Sequence, residues 1–256
     1  MTFSLVLFYS TQMINNYKQT KRFGLARVLS KMGLASRTQA SVWIADGLVQ
    51  VNGRIITDVE FPVRMEVDQV LVNSQNAIVQ ERIVLMLNKP RGLLTTRSDE
   101  QQRATVYECL PAEMPWLAPV GRLDKASEGL LLMTNDPVWA AKITDPTTGP
   151  DKTYHVQINA IPSQAQLATM LQGLNTDIGL LSVKHVVVLR QGEKNAWLEI
   201  ILEEGRNRQI RRLLQALDIS VLRLIRVQIG ALKLNELPKG QWRALTEHEI
   251  DLLNNA

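Results

Sequence analysis

Short runs of β-branched and aliphatic residues recur along most of this 256-residue chain without a helix separating each from the next. They are RIVLMLNKP (82–90), the apolar run at 130–133, KTYHVQI (152–158), VKHVVVLR (183–190), AWLEIIL (196–202) and SVLRLIRVQI (220–229). Within residues 82–256, helical patterns are confined to 137–144, 163–173 and 206–217. A doubly wound parallel sheet needs a crossover helix between most strands, so this irregular order argues against one. It predicts an α+β domain on a mixed, largely antiparallel sheet over residues 82–256. The length leaves room for a second, smaller domain beside it. With 45% hydrophobic and 21% charged residues, the chain has ample material for a buried core.

The smaller domain is expected at 24–72, as an α/β unit. Leu25, Val28, Leu29 and Met32 recur at spacings of three and four, which marks one apolar helix face. Gly33 stops that helix, and Ser36 is placed to cap a second one reaching toward Trp43. VQVNGRII (49–56) then sets Asn52 and Gly53 between β-branched residues, as in a tight hairpin. Residues 73–81 (NSQNAIVQE) are polar and turn-prone and read as a linker. This order of helix, helix and hairpin resembles the RNA-binding domain first known from small-subunit ribosomal protein four. The resemblance implies that Arg27, Lys31, Arg37 and Arg54 touch an RNA backbone, contacts that position a protein without reading sequence. Each of the four, taken singly, is an ordinary surface charge.

The net charge of +4 is too small to demand a polyanionic partner, but its distribution is uneven. Residues 1–70 carry 8 basic and 5 acidic side chains, and residues 205–226 carry 6 and 1, around a mildly acidic middle. Such clustering suits a nucleic-acid footprint, and equally suits two solvated faces. The single cysteine, Cys109, cannot form an internal disulfide, and no Cys/His set has zinc spacing, so a reducing, cytoplasmic setting is expected. The apolar opening at 3–9 lacks a basic flank and falls far short of the ~20 residues that span a bilayer. Residues 1–23 read as a loose leader, with Met13 an alternative start to Met1.

VGRLDKASEGLLLMTND (120–136) is the most informative stretch. Gly121 and Gly129 bracket a polar loop, and the following apolar run predicts a buried strand, so Asp124 is held close to the sheet. An aspartate there can be a nucleophile, although most such residues form turns or caps. The segment resembles the signature of the pseudouridine synthases that modify ribosomal RNA, in the branch named for the small-subunit rRNA enzyme. In that family the fourth residue of GRLD is the catalytic aspartate, which falls on Asp124. Lys125 and Ala126 depart from the residues common after it.

Two further family motifs follow in order. In KTYHVQI the family tyrosine is Tyr154, whose ring the resemblance places against the target base; by strand alternation it also shares a core face with Val156 and Ile158. In EGRNRQIRRLL (204–214), Ile210, Leu213, Leu214 and Leu217 form one buried helical face, and Arg208, Arg211 and Arg212 share another. Periodicity alone gives a solvated basic side. The resemblance implies instead that Arg211 pairs with the catalytic aspartate, which lowers a carboxylate's pKa by roughly 1–3 units. NKPRG (88–92) also matches. VLRLIRVQIG (221–230) supplies Leu222 and Leu224 as the two candidates for a uracil-pocket leucine.

The resemblance, which covers residues 25–245, implies a uridine-to-pseudouridine isomerase on ribosomal RNA with no cofactor and no metal. Arg122, Arg206, Arg208 and Arg212 join the four amino-terminal cations as candidate RNA contacts. No membrane association and no obligatory protein partner follow from it, and a monomer is expected. The competing reading is a non-catalytic RNA-binding or ribosome-assembly factor on the same fold. Retention of Asp124, Tyr154 and Arg211 together argues against it.

Overall fold

The computed structural model describes residues 21–97 and 99–255. Chain contacts divide it after Glu81 into two compact units. Most of the expected leader, with both candidate start residues, lies outside the described residues.

The first unit runs β1 (Phe23–Gly24), α1 (Leu25–Lys31), α2 (Arg37–Ala45), β2 (Val49–Val51), β3 (Arg54–Ile55), β4 (Pro62–Val63), β5 (Val70–Val72) and β6 (Gln75–Asn76). The face of α1 predicted from spacing is buried, together with Ala40 and Ile44 of α2. Ser36 caps α2 by accepting the Gln39 N–H at 3.0 Å. Asn52 and Gly53, at φ 50° and 79°, make the two-residue turn between β2 and β3. The strands join as β3-β2-β5-β6, with β1 and β4 a separate ribbon.

Two expected boundaries move. Phe23, assigned to the leader, pairs with Val63. Within the expected linker, Asn73 and Ser74 adopt φ 51° and 63° and turn the chain back, so that Gln75 pairs with Val72. Gln80 N–H also donates to Met32 O at 2.9 Å.

The second unit contains β7 (Val84–Lys89), a 3-10 turn (Val106–Cys109), β8 (Ala118–Val120), β9 (Glu128–Thr134), α3 (Pro137–Thr144), β10 (Lys152–Ile158), α4 (Gln164–Gln172), β11 (Leu174–Thr176) and β12 (Gly179–Leu181). After these come β13 (His185–Gln191), β14 (Ala196–Leu202), α5 (Gln209–Gln215), β15 (Val221–Ile229), β16 (Leu232–Lys233), β17 (Trp242–Ala244) and α6 (Glu247–Asn254). A 9-stranded sheet follows the order β13-β14-β10-β15-β9-β7-β17, with β16 on β15 and β8 on β9. Its pairs are antiparallel except β15 with β9, where Ile225 meets Glu128 and Arg226 meets Gly129. The fold is thus α+β on a mixed, largely antiparallel sheet.

Strands β7 and β9 are apolar at consecutive positions because both their faces are covered. Leu85, Leu87, Leu131 and Met133 enter one cluster, with Tyr154 and Leu213, whereas Val84, Met86, Leu130 and Leu132 enter another, with Trp139 and Ile250. Asp136 caps α3 through the N–H groups of Val138 and Trp139, and Pro137 occupies the first turn. No helix among the described residues is long and apolar enough to cross a membrane.

Candidate active site

The loop between β8 and β9 carries Asp124, and its backbone is pinned from several sides. Lys89, at the end of β7 and fully buried, donates from Nζ to Asp124 O (3.2 Å), Ser127 O (2.9 Å) and Pro90 O (3.1 Å). Thr95 Oγ1 donates to Leu123 O at 2.7 Å, Gly92 N–H donates to Lys125 O at 2.7 Å, and Arg211 Nη2 donates to Ala126 O at 3.2 Å. The loop feeds into β9 at Gly129, where φ is 101° and an added Cβ would stand 2.2 Å from Arg226 O. Only glycine allows the parallel strands to approach this closely. Burial lowers the Lys89 pKa to about 8, an effect that the charges of Asp124 and Glu128 oppose.

The side chain of Asp124 is 34% exposed and faces two guanidinium groups. Its Oδ2 lies 3.4 Å from Arg208 Nη1 and 3.9 Å from Arg211 Nε. Arg211 is the more enclosed of the two, and its Nε is buried with no hydrogen-bond partner among the described residues. Desolvation and the neighbouring Arg208 charge lower its pKa, while Asp124 raises it.

A cavity of about 360 Å3 opens beside this cluster. Tyr154, buried on β10, and Leu224, buried on β15, form apolar parts of its lining, and Ile210 approaches from α5. The structure therefore gathers Asp124, Tyr154, Arg211, Leu224, Arg122, Arg206 and Arg208 around one space, although they come from separate stretches of sequence.

Three assignments change. Leu222 does not line the cavity and is 45% exposed. The ladder between β10 and β15 passes from Gln157↔Arg223 to Ile158↔Val221, which leaves Leu222 as the extra residue of a bulge and breaks strict alternation. Arg208, expected on an RNA-facing helix side, precedes α5 at φ 52° and stands nearer to Asp124 than Arg211 does. Arg212 points elsewhere, donating to Asn207 O and Asn207 Oδ1 at 3.1 Å each and pairing with Asp177. In the first unit Arg27 and Lys31 lie over the Phe23 ring, 5.3 and 3.8 Å from its centroid, while Arg37 and Arg54 are exposed.

Sequence reasoning assigns no role to Lys89, and none to Arg226 beyond its place at the end of the basic stretch 206–226 expected to meet phosphate. Both stand in family-like motifs, and both are buried cations at positions where strand alternation calls for an apolar side chain. That mismatch is the signal that could find them.

The cavity thus joins a carboxylate on a pinned loop, two guanidinium partners and an aromatic ring against an apolar wall. The chain belongs to the RNA pseudouridylate synthase family, whose sequence pattern matches residues 83–216, and an S4 domain matches residues 23–76. It is similar to Ribosomal large subunit pseudouridine synthase B of Bacillus subtilis, with 33% identity over 90% of this chain and 94% of that one. The protein of the same name from Haemophilus influenzae is 36% identical over 90% of this chain, which spans 66% of that relative's length. A solved structure described as "Crystal structure of pseudouridylate synthase" aligns over 90% of this chain and 99% of its own, at 29% identity and a TM-score of 0.64. The signature, in a branch named for the small-subunit rRNA enzyme, leaves the ribosomal subunit open, and the names of these relatives do not support a small-subunit one.

Proposed function

We propose that this chain isomerises a uridine of ribosomal RNA to pseudouridine, with Asp124 as the nucleophile. The arrangement of Asp124 carries the reading: a partly exposed carboxylate, on a loop fixed by Lys89, Thr95 and Arg211, aimed into a cavity between Tyr154 and Leu224. The names of its relatives favour large-subunit RNA as the substrate. The enzyme acts as a single chain in the cytoplasm and needs no cofactor.

Pseudouridine formation breaks the bond from ribose to the ring nitrogen, turns the uracil and rejoins it through carbon. Asp124 attacks either carbon six of the ring or the anomeric carbon, and both paths need an ionised, oriented carboxylate. Arg208 and Arg211, 3.4 and 3.9 Å from its Oδ2, hold that carboxylate in orientation. Tyr154 packs on the base and Leu224 closes its other side. The uridine must leave its stack to enter, at a cost of a few kcal/mol that is least in loops. Phosphate contacts from Arg122 and Arg206 at the cavity, and from Arg27, Lys31, Arg37 and Arg54 in the first unit, offset that cost.

The test is pseudouridine mapping on large- and small-subunit rRNA transcripts after incubation with the full chain in chelator. Asp124→Asn abolishes the product while RNA affinity stays within about threefold, because binding rests on the cations. Product from Asp124→Asn at a comparable rate would overturn the assignment.

A further inference from the structure

The cavity holds more positive charge than the Asp124 cluster uses. Its lining includes Arg122, Lys152, Arg206, Arg208, Arg211 and Arg226 against two carboxylates, Asp124 and Glu204. Both carboxylates are engaged: Asp124 faces Arg208 and Arg211, and Glu204 pairs with Arg206 at 3.0 Å. Arg122, Lys152 and Arg226 are left without a counter-ion in the lining, and of these Lys152 and Arg226 are the enclosed ones. Asp151, whose charge favours protonated Lys152, is bound to Lys184 at 2.9 Å.

Arg226 is the more unusual of the pair. Strands β9 and β15 pair only at Ile225↔Glu128 and Arg226↔Gly129 and then separate. The Arg226 side chain occupies the fork, donating from Nε to Leu130 O at 2.7 Å. It is 5% exposed, and its Nη2 is buried with no hydrogen-bond partner among the described residues. A guanidinium with an unmet donor in a desolvated place is costly unless something completes it. Lys152, the first residue of β10, lines the same cavity and reaches only Glu203 O at 3.3 Å. Two like charges kept together beside a cavity, one with a spare donor, match the need of an oxyanion.

We propose that Arg226 and Lys152 form an anion subsite in this cavity, which takes a backbone phosphate flanking the uridine bound at Asp124. The assignment rests on the reading of the cavity as a nucleotide site. It gives the two cations a positioning role: they fix the sugar-phosphate on one side of the base while Asp124 addresses the other. Burial and the Arg226 charge lower the pKa of Lys152, as expected for a cation awaiting its counter-ion.

The experiment is a salt titration of rRNA binding by the full chain, with wild type, Lys152→Met, Arg226→Met and Arg226→Lys compared. Each phosphate that is no longer neutralised flattens the slope of log affinity against log salt by roughly 0.7–0.9. Lys152→Met and Arg226→Met are expected to show that change with about a tenfold weaker Kd, and Arg226→Lys to keep the slope. Arg226 also caps Leu130 O, so if Arg226→Met fails to fold, Lys152→Met and Arg226→Lys decide. A Lys152→Met slope equal to wild type overturns the subsite, and so does an unchanged slope with a raised KM, which would assign the pair to a neutral oxygen of the base. Pseudouridine mapping on the same samples reports separately: no product from wild type sinks the catalytic reading, and product from wild type with unaltered variant slopes sinks the subsite alone.

Discussion

Asp124 is served by two arginines of different kinds, and substitution separates them. Arg211 is 15% exposed and also bonds the loop backbone at Ala126, whereas Arg208 is 48% exposed and touches only the carboxylate end. Arg211→Met should lower single-turnover pseudouridine formation by on the order of a hundredfold, the scale seen when one preorganised electrostatic partner is removed. Arg208→Met should cost about tenfold, because solvent screens its interaction. Arg212→Met, whose partners are Asn207 and Asp177, should stay within about threefold. Equal losses at all three positions would mean that a generally basic helix, and not a paired carboxylate, is what matters. Lys89 gives a second test. Its folded pKa of about 8 lies below the ordinary 10.5, so the folded chain releases this proton first as pH rises. Between those values the unfolded chain holds more protons, and the linkage of this group favours folding as pH rises. Activity should move the opposite way, since a neutral amine has fewer donors than the three carbonyls it serves. Turnover should fall above about pH 8 while the melting temperature, corrected with Lys89→Met, does not fall with it; a flat rate profile through about pH 9.5 counts against the lysine as the loop's anchor.

At the scale of elements, the join of β9 to β15 controls where the loop lies, and Glu128 secures it. Its carboxylate is 4% exposed and receives Arg223 at 2.7 and 3.0 Å and Lys239 at 2.6 Å. The Arg223 hydrogen bonds, with Lys239, outweigh desolvation and hold its pKa at about 2, below the usual 4.5. A depressed carboxylate stabilises the fold above its unfolded pKa, and that contribution is lost as pH falls from about 4.5 to 2. Glu128→Gln should cost about 1–3 kcal/mol at pH 7, less than a fully buried pair because both cations reach solvent. The deficit, read from denaturant midpoints, should shrink toward about pH 2–3; a pH-independent deficit would point to packing instead. Much of this architecture was legible because its strands obey burial: KTYHVQI and AWLEIIL form β10 and β14 with the expected limits. The losses occur where backbone geometry overrides pattern. Asn73 and Ser74 turn a polar stretch into a hairpin, the bulge at Leu222 reverses a side chain, and the left-handed Arg208 delays the start of α5. A two-residue β6 and a three-residue β11 are too short for periodicity to register.

For the whole molecule, the division of labour follows from where the cores end. The cluster holding α1, α2 and their strands draws its buried residues from Leu25 to Val70, and the two clusters of the larger unit begin at Val84 and Leu85. Each unit thus has an interior of its own, as an independently folding domain requires. A partition of this kind is what the sequence leads one to expect, because the apolar spacing changes from helical to strand-like across a polar stretch. The grouping of Asp124, Tyr154 and Arg211 at one cavity was to be expected only from the family signature, since a sheet order that no local pattern encodes brings them together. Removal of residues 1–81 should leave a cooperative melt for the remainder. The charges point to what else changes: the deleted segment carries Arg27, Lys31, Arg37 and Arg54, while the cavity and its arginines stay. The truncated chain should bind rRNA more weakly, with a salt slope shallower by roughly 0.7–0.9 for each phosphate that these cations neutralise. At saturating RNA it should still form pseudouridine, because no residue placed at Asp124 has been removed. An unchanged slope would show that the amino-terminal unit does not touch phosphate. Lost turnover at saturation, with the melt intact, would show that the unit also orients the target uridine.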